Sequence, residues 1–214
     1  MEKIDEILLD TLKKDKNNKN INAKENHKAM LQFFYCQNNI FKYVSTQFKV
    51  HEIAIWIKSI VFYIKNKNLR NTTNYTNKSI LFVDLGHNIG NELSYEHICI
   101  VLKSTYDKLF VIPCSSSRIK NICDKETGEL YPEYILGKVE DGFLKETVIL
   151  LNEVRWISKS RVINNINKKV ADKLFDEIYN RSFAYIFKSK FNENIKLKKE
   201  IESLKNKIDT IKNV

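Results

Sequence analysis

The chain has 214 residues, 43% of them hydrophobic, enough for one large domain or a small domain with additions. Its most apolar run, residues 53–64, is short and broken by Lys58, and "MEKIDEILLD" lacks a basic leader. This excludes a membrane span, which needs roughly 20 apolar residues, and a secretory signal, so a cytoplasmic protein with no membrane partner is expected. The net charge of +10 points to an acidic partner, nucleic acid first, unless the lysines only solvate the surface.

In chain order, residues 3–14 place Ile4, Ile7, Leu8 and Leu12 at helical spacing. "KKDKNNKNINAKEN" follows as a polar, mobile connection. Residues 26–66 read as one or two long helices, with Met30, Phe33, Phe34, Ile40, Phe41, Val44 and Phe48 ahead of Ile53, Ile57, Ile60, Val61 and Ile64. That is more apolar surface than one exposed helix carries, so it should pack on the rest of the chain or on a second subunit. "NLRNTTNYTNK" reads as a linker.

All five glycines and both prolines fall between residues 86 and 142, which predicts a β-rich middle between helical flanks. Strands are expected at 79–85, 98–102, 108–114 and 148–151, with a continuation of the last through 154–157 left open. Short strands with long loops suggest a small barrel. Helix resumes over 167–190. Beyond it Leu197, Ile201, Leu204, Ile208 and Ile211 alternate spacings of 4 and 3, a short heptad seam for a dimer or for docking within the chain. The organisation is therefore a helical extension (1–78), a β-domain (79–165) and C-terminal helices (166–214). Their net charges are +7, −2 and +5, so the basic charge lies in the flanks. Four cysteines form no CxxC pair; Cys99 and Cys114 read as buried thiols, and no metal or cofactor is expected.

Three segments together carry a resemblance. "DLGHNIGNELS" (84–94) is followed by "HICIVL" (97–102); "VIPCSS" spans 111–116; "VILLNEVRWISKSRV" spans 148–162. In order and spacing they resemble the MazF/PemK family of toxin endoribonucleases. Its members carry D-L-G-x-x-x-G-S-E-x-S, then R-P-x-x-V-I, then a strand ending in proline-x-threonine/serine, then V-x-L-x-Q-I-R-T-I-D-K-x-R-L. The resemblance covers roughly residues 79–180. It implies an α+β protein built on a small SH3-like β-barrel, with the helices here as additions. It also implies a homodimer, metal-independent cleavage of single-stranded RNA, and neutralisation by a cognate antitoxin of protein or RNA. The departures are His97 for the family arginine, Ser115 for its threonine, and Trp156 and Ser158 for the threonine and aspartate after the retained Arg155.

RNA cleavage without metal needs a base for the 2′-hydroxyl, an acid for the leaving 5′ oxygen and a cation for the phosphorane. His97 suits the proton transfers, or is a strand-edge histidine that packs. Ser115 offers a hydroxyl to a phosphate oxygen, or serves the turn "SSSR". Arg155 offers a planar fork to phosphate, or pairs with Glu153. Ser116, Lys159, Arg161, His87 and Glu92 are the candidate RNA-binding residues, with capping or structural roles as alternatives for Glu92. Gly86 and Gly90 provide backbone freedom rather than a phosphate-cradling loop, since no Gly-Lys-Ser/Thr follows. Tyr95 and Trp156 are stacking candidates, against the commoner core role of tryptophan. The rival readings are a barrel that has lost catalysis and only binds RNA or antitoxin, and the protein-targeting activity of the related gyrase-poisoning toxins.

Overall fold

The computed structural model describes residues 2–88, 92–116, 119 and 122–212. Ile89, Gly90 and Asn91 of the loop motif, and the side chain of Ile211, lie outside them. The fold is α+β, with five α-helices and seven antiparallel strands among the described residues. Two compact units divide at Lys58 and Ser59.

The first unit is helical. Helix α1 (Glu6–Lys14) starts where the Asp5 side chain accepts from the Leu8 N–H at 2.9 Å, and it ends on Lys13 and Lys14 beside its negative pole. Two short 3-10 turns, Lys16–Asn20 and Ala23–Glu25, occupy the stretch expected to be mobile. Helix α2 (His27–Gln47) is capped by Asn26. The helical run over 26–66 is broken at Phe48 and Lys49, and α3 (Val50–Asn66) follows, its last residues belonging to the second unit. Phe33, Phe34 and Phe41 remain exposed, Phe41 at 73%.

The second unit is built on one sheet. Its strands are β1 (Ser79–Asp84), β2 (Glu96–Ser104), β3 (Lys108–Ser115), β4 (Tyr134–Gly137), β5 (Thr147–Leu150), β6 (Arg155–Ser158) and β7 (Val162–Lys169). The order is β4-β5-β3-β2-β1-β7, with β6 also paired to β3. The sheet is not closed: β4 and β7 end the path.

The sequence places the expected fourth strand correctly at its start, but that strand does not run on. A 3-10 turn at Leu151–Glu153 redirects the chain, so β5 pairs with the end of β3 and β6 with its beginning. The helix expected from residue 167 also starts later. Residues 162–169 form the edge strand β7 against β1, and α4 (Asp172–Ile186) begins after it.

Both faces of the central strands are buried, which is why they read as unbroken apolar runs. Ile80, Ile100, Ile112 and Ile149 face Leu174, Phe175 and Ile178 of α4. On the other face Leu81, Val83, Cys99, Val101, Leu109, Val111, Val148, Leu150 and Ile157 form a second core from β1, β2, β3, β5 and β6. Strands and loops alone supply that second core; Tyr75 and Leu93 plug it from the preceding linker and the β1–β2 loop. The linker is thus packed rather than free: Asn71 Nδ2 donates to the Lys159 carbonyl at 3.0 Å, and Ser160 Oγ to the Leu69 carbonyl at 2.6 Å. Among the described residues no helix is long and apolar enough to cross a membrane.

Candidate active site

The strand register brings two of the three residues expected to do chemistry side by side. Val83 on β1 opposes His97 on β2, and Ile98 opposes Cys114 on β3. One step along that register sets His97 beside Ser115, which in turn opposes Val148 on β5. Side chains alternate along a strand, and His97 alternates in phase with Cys99, as Ser115 does with Val111. Both therefore point to the face whose core is made by strands and loops alone. They lie at its rim, where β2 begins and β3 ends; His97 is half-buried and Ser115 is buried.

Arg155, on β6, stands four residues back along β3 from Ser115. It opposes Val111 and is in phase with Ile157, so it lies on the same face. Its charge is felt at Cys99. Burial pushes the Cys99 thiol up to about 12, and the Arg155 guanidinium offsets a smaller part of that in the other direction. The guanidinium is itself engaged: Nη2 is ion-paired with the Glu153 carboxylate, and Nε donates to the Glu153 carbonyl at 3.2 Å. Glu153 is buried in the 3-10 turn between β5 and β6, so the turn that splits the two strands also presents the carboxylate that holds Arg155.

The β1–β2 loop is braced rather than loose at its described ends. Leu85 N–H donates to the Tyr95 carbonyl and Tyr95 N–H to the Gly86 carbonyl, each at 2.7 Å. Asn88 donates from its side chain to the Leu93 carbonyl and from its backbone to Ser94 Oγ. Asp84 starts the turn: its buried carboxylate accepts from Gly86 N–H at 2.7 Å and from Ser59 Oγ of α3 at 2.8 Å. Gly86 sits at φ +83, and Nη1 of Arg161 would lie 2.7 Å from a Cβ there. That glycine therefore serves both the left-handed turn and the close seat of a guanidinium, not a phosphate.

The remaining expected residues separate from this rim. His87 and Arg161 line a cleft of about 610 Å³ with Phe62, Tyr63 and Lys67 of the α3 end and with Asp84. Asp84 alternates with Val83, so this cleft opens on the opposite face of β1 from His97. His87 packs edge-on against Tyr95 at 5.2 Å, and Arg161 Nη1 donates to the Asp84 carbonyl at 3.1 Å. Lys159, expected to touch the RNA backbone, is instead only 3% exposed. Its N–H donates to the Asp107 carbonyl of the β2–β3 turn, and its C=O accepts from Asn71 of the linker. Glu92 is exposed in the β1–β2 loop, and Ser116 is half-buried just past β3. Trp156 is 49% exposed and packs on Phe110 at 5.0 Å, on the sheet face away from Arg155.

Sequence reasoning missed Ser59, Lys67 and Tyr63, which lie outside the motif-bearing region, and the holding role of Asp84. For Asp84 a signal existed: an aspartate two residues before glycine is a common side-chain turn. Cys99 and Cys114 are buried thiols as expected; Cys114 is raised well above the usual thiol range by burial and by Cys99. No protein-family model matches the chain, and no curated protein sequence matches it.

Proposed function

We propose that this protein is a toxin-type endoribonuclease of the MazF/PemK kind, cleaving single-stranded RNA without metal, as one half of a toxin–antitoxin or anti-phage pair. The observation that carries the reading is the row formed by His97 and Ser115 on neighbouring strands, with Arg155 on the same face. The shared core of β1, β2, β3, β5 and β6 supports the finer fold reading, a sheet curled toward an SH3-like barrel.

In this mechanism the 2′-oxygen attacks the adjacent phosphorus and the bond to the 5′-oxygen breaks. His97 takes the 2′ proton or returns one to the leaving oxygen, as its chemistry near neutral pH permits. Ser115 donates to a non-bridging oxygen, and Arg155 offsets the phosphorane charge. The products are a 2′,3′-cyclic phosphate and a 5′-hydroxyl. The cleft of His87, Arg161, Lys67 and Tyr63 combines cations with an aromatic ring, but it opens on the opposite face of β1 from His97 and takes no part in this path. Lys159 is left out of this path because it follows β6 at the beginning of β3, the end opposite Ser115, and is buried there.

The test is incubation of the purified protein with mixed-sequence RNA in EDTA. The expected result is cleavage to 2′,3′-cyclic ends, slowed about 10²–10⁴-fold in His97→Ala. Intact RNA from folded protein would overturn the enzyme reading. One observation favours a second reading, a module that binds RNA or an antitoxin without cutting: the Arg155 guanidinium is committed to Glu153. Retained RNA binding with no cleavage in either wild type or Glu153→Gln is the result this second reading expects.

A further inference from the structure

The C-terminal helix α5 (Lys188–Lys212) carries its apolar seam in the open. Leu197, Ile201, Leu204 and Ile208 are each half exposed, and among the described residues the main neighbour of the helix is α4. In heptad lettering Asn194, Ile201 and Ile208 fall at a, and Leu197 and Leu204 at d; in sequence Ile211 continues the d series. We propose that α5 pairs with α5 of a second copy as a parallel, two-stranded coiled coil in register at Asn194.

Three observations select this partner and this orientation. Ile at a with Leu at d favours two parallel strands, and one Asn at an a position specifies register at some cost in stability. The flanking charges are sided. Glu193 and Glu200 occupy g positions, and Lys198 and Lys205 occupy e positions. Parallel pairing sets Glu193 against Lys198, and Glu200 against Lys205, of the second copy, with one like-charged pair in sequence, Lys207 and Lys212, at the far end. Antiparallel pairing sets e against e, lysine against lysine, which repels.

The third observation lies at the root of the seam. An open groove of about 400 Å³ is lined by Phe183, Phe187, Lys190, Glu193, Asn194 and Leu197, the a and d positions continued back into α4 with one g-position glutamate. Phe183 packs on Phe187 at 5.5 Å and on Phe191 at 6.1 Å, an apolar base for a second helix entering alongside. The d-position Lys190 is neutralised by Glu193 at 2.8 Å. Most of a helix's stability comes from packing its apolar face, and here α4 anchors only the start of α5.

The experiment uses the full chain. In a background with the exposed Cys36 and Cys123 changed to serine, Leu204→Cys should form an intermolecular disulfide on mild oxidation. A parallel register stacks the two copies of that residue, whereas an antiparallel one holds them apart. Light scattering should give a dimer mass for the wild type and a monomer for Ile201→Asp. The latter leaves the fold intact by circular dichroism, because its site is on the surface. Glu200→Lys should weaken the dimer about tenfold and Lys205→Glu added to it should restore it. A monomeric wild type, a trimer, or a dimer in which Leu204→Cys forms no disulfide would overturn the proposal. RNA cleavage is not the readout, so the outcome is separate from the fate of the enzyme reading.

Discussion

Gly86 is where the fold and the candidate site meet, and Gly86→Ala measures what it does. Two costs follow from the structure. The residue lies at φ +83, where a Cβ costs about 1–2 kcal/mol. The new methyl would also sit 2.7 Å from Nη1 of Arg161, which must then leave the Asp84 carbonyl that it holds at 3.1 Å. A charged hydrogen bond contributes roughly 1.5–3 kcal/mol. Because Arg161 is half-exposed, water replaces part of it, and about 1 kcal/mol is the fairer value. The expected loss of stability is therefore about 2–3 kcal/mol in all. Urea unfolding of wild type, Gly86→Ala, Arg161→Ala and the double variant closes a cycle. With Arg161 gone, only the backbone cost of about 1–2 kcal/mol should remain. An equal cost in both backgrounds would refute the claim that this glycine makes room for the guanidinium. A total below about 0.5 kcal/mol would refute the strain argument as well.

Three further outcomes are expected. A thiol reagent should modify Cys36 and Cys123 in the native protein, and Cys99 and Cys114 only on unfolding, read by mass spectrometry of labelled peptides. Because the folded Cys99 value is raised from 9.0 to about 12, its contribution to stability is complete below pH 9 and declines as pH rises toward 12. The midpoint of urea unfolding should fall over that window, and Cys99→Ala should flatten the fall. At the acid end, Lys78 pairs with Asp172 at 2.8 Å and holds its carboxyl below 3.8. That contribution is present above pH about 4 and is lost as pH falls through the lowered value. Asp172→Asn should therefore destabilise slightly at pH 7 and not at all well below pH 3, in the same unfolding assay.

The helices and the three central strands were legible because each follows from local pattern. Ser79–Asp84, Glu96–Ser104 and Lys108–Ser115 are buried on both faces, so they show as unbroken apolar runs. Strand β7 was not legible. It is an edge strand that buries little beyond Val162 and Ile166, and its Asn and Lys residues read as the start of a helix. The split between β5 and β6 was hidden for a related reason. Nothing in "LLNEV" distinguishes a continuing strand from a 3-10 turn until β3 offers two separate stretches to pair with.

The candidate site divides along the same line. Sequence alone determined which residue types stand near the ends of strands: histidine, serine and arginine, the types on which the proposed RNA cleavage rests. It determined too that the C-terminal seam has heptad spacing and sided charge. Only tertiary structure decided which of them meet. Register between strands far apart in the chain sets His97 beside Ser115, and alternation along β1 sends Asp84 and its cleft to the opposite face. Lys159 went under the linker and Arg161 to the Asp84 carbonyl, because polar groups drawn from water must find partners. Those partners lie in segments whose approach no local pattern encodes.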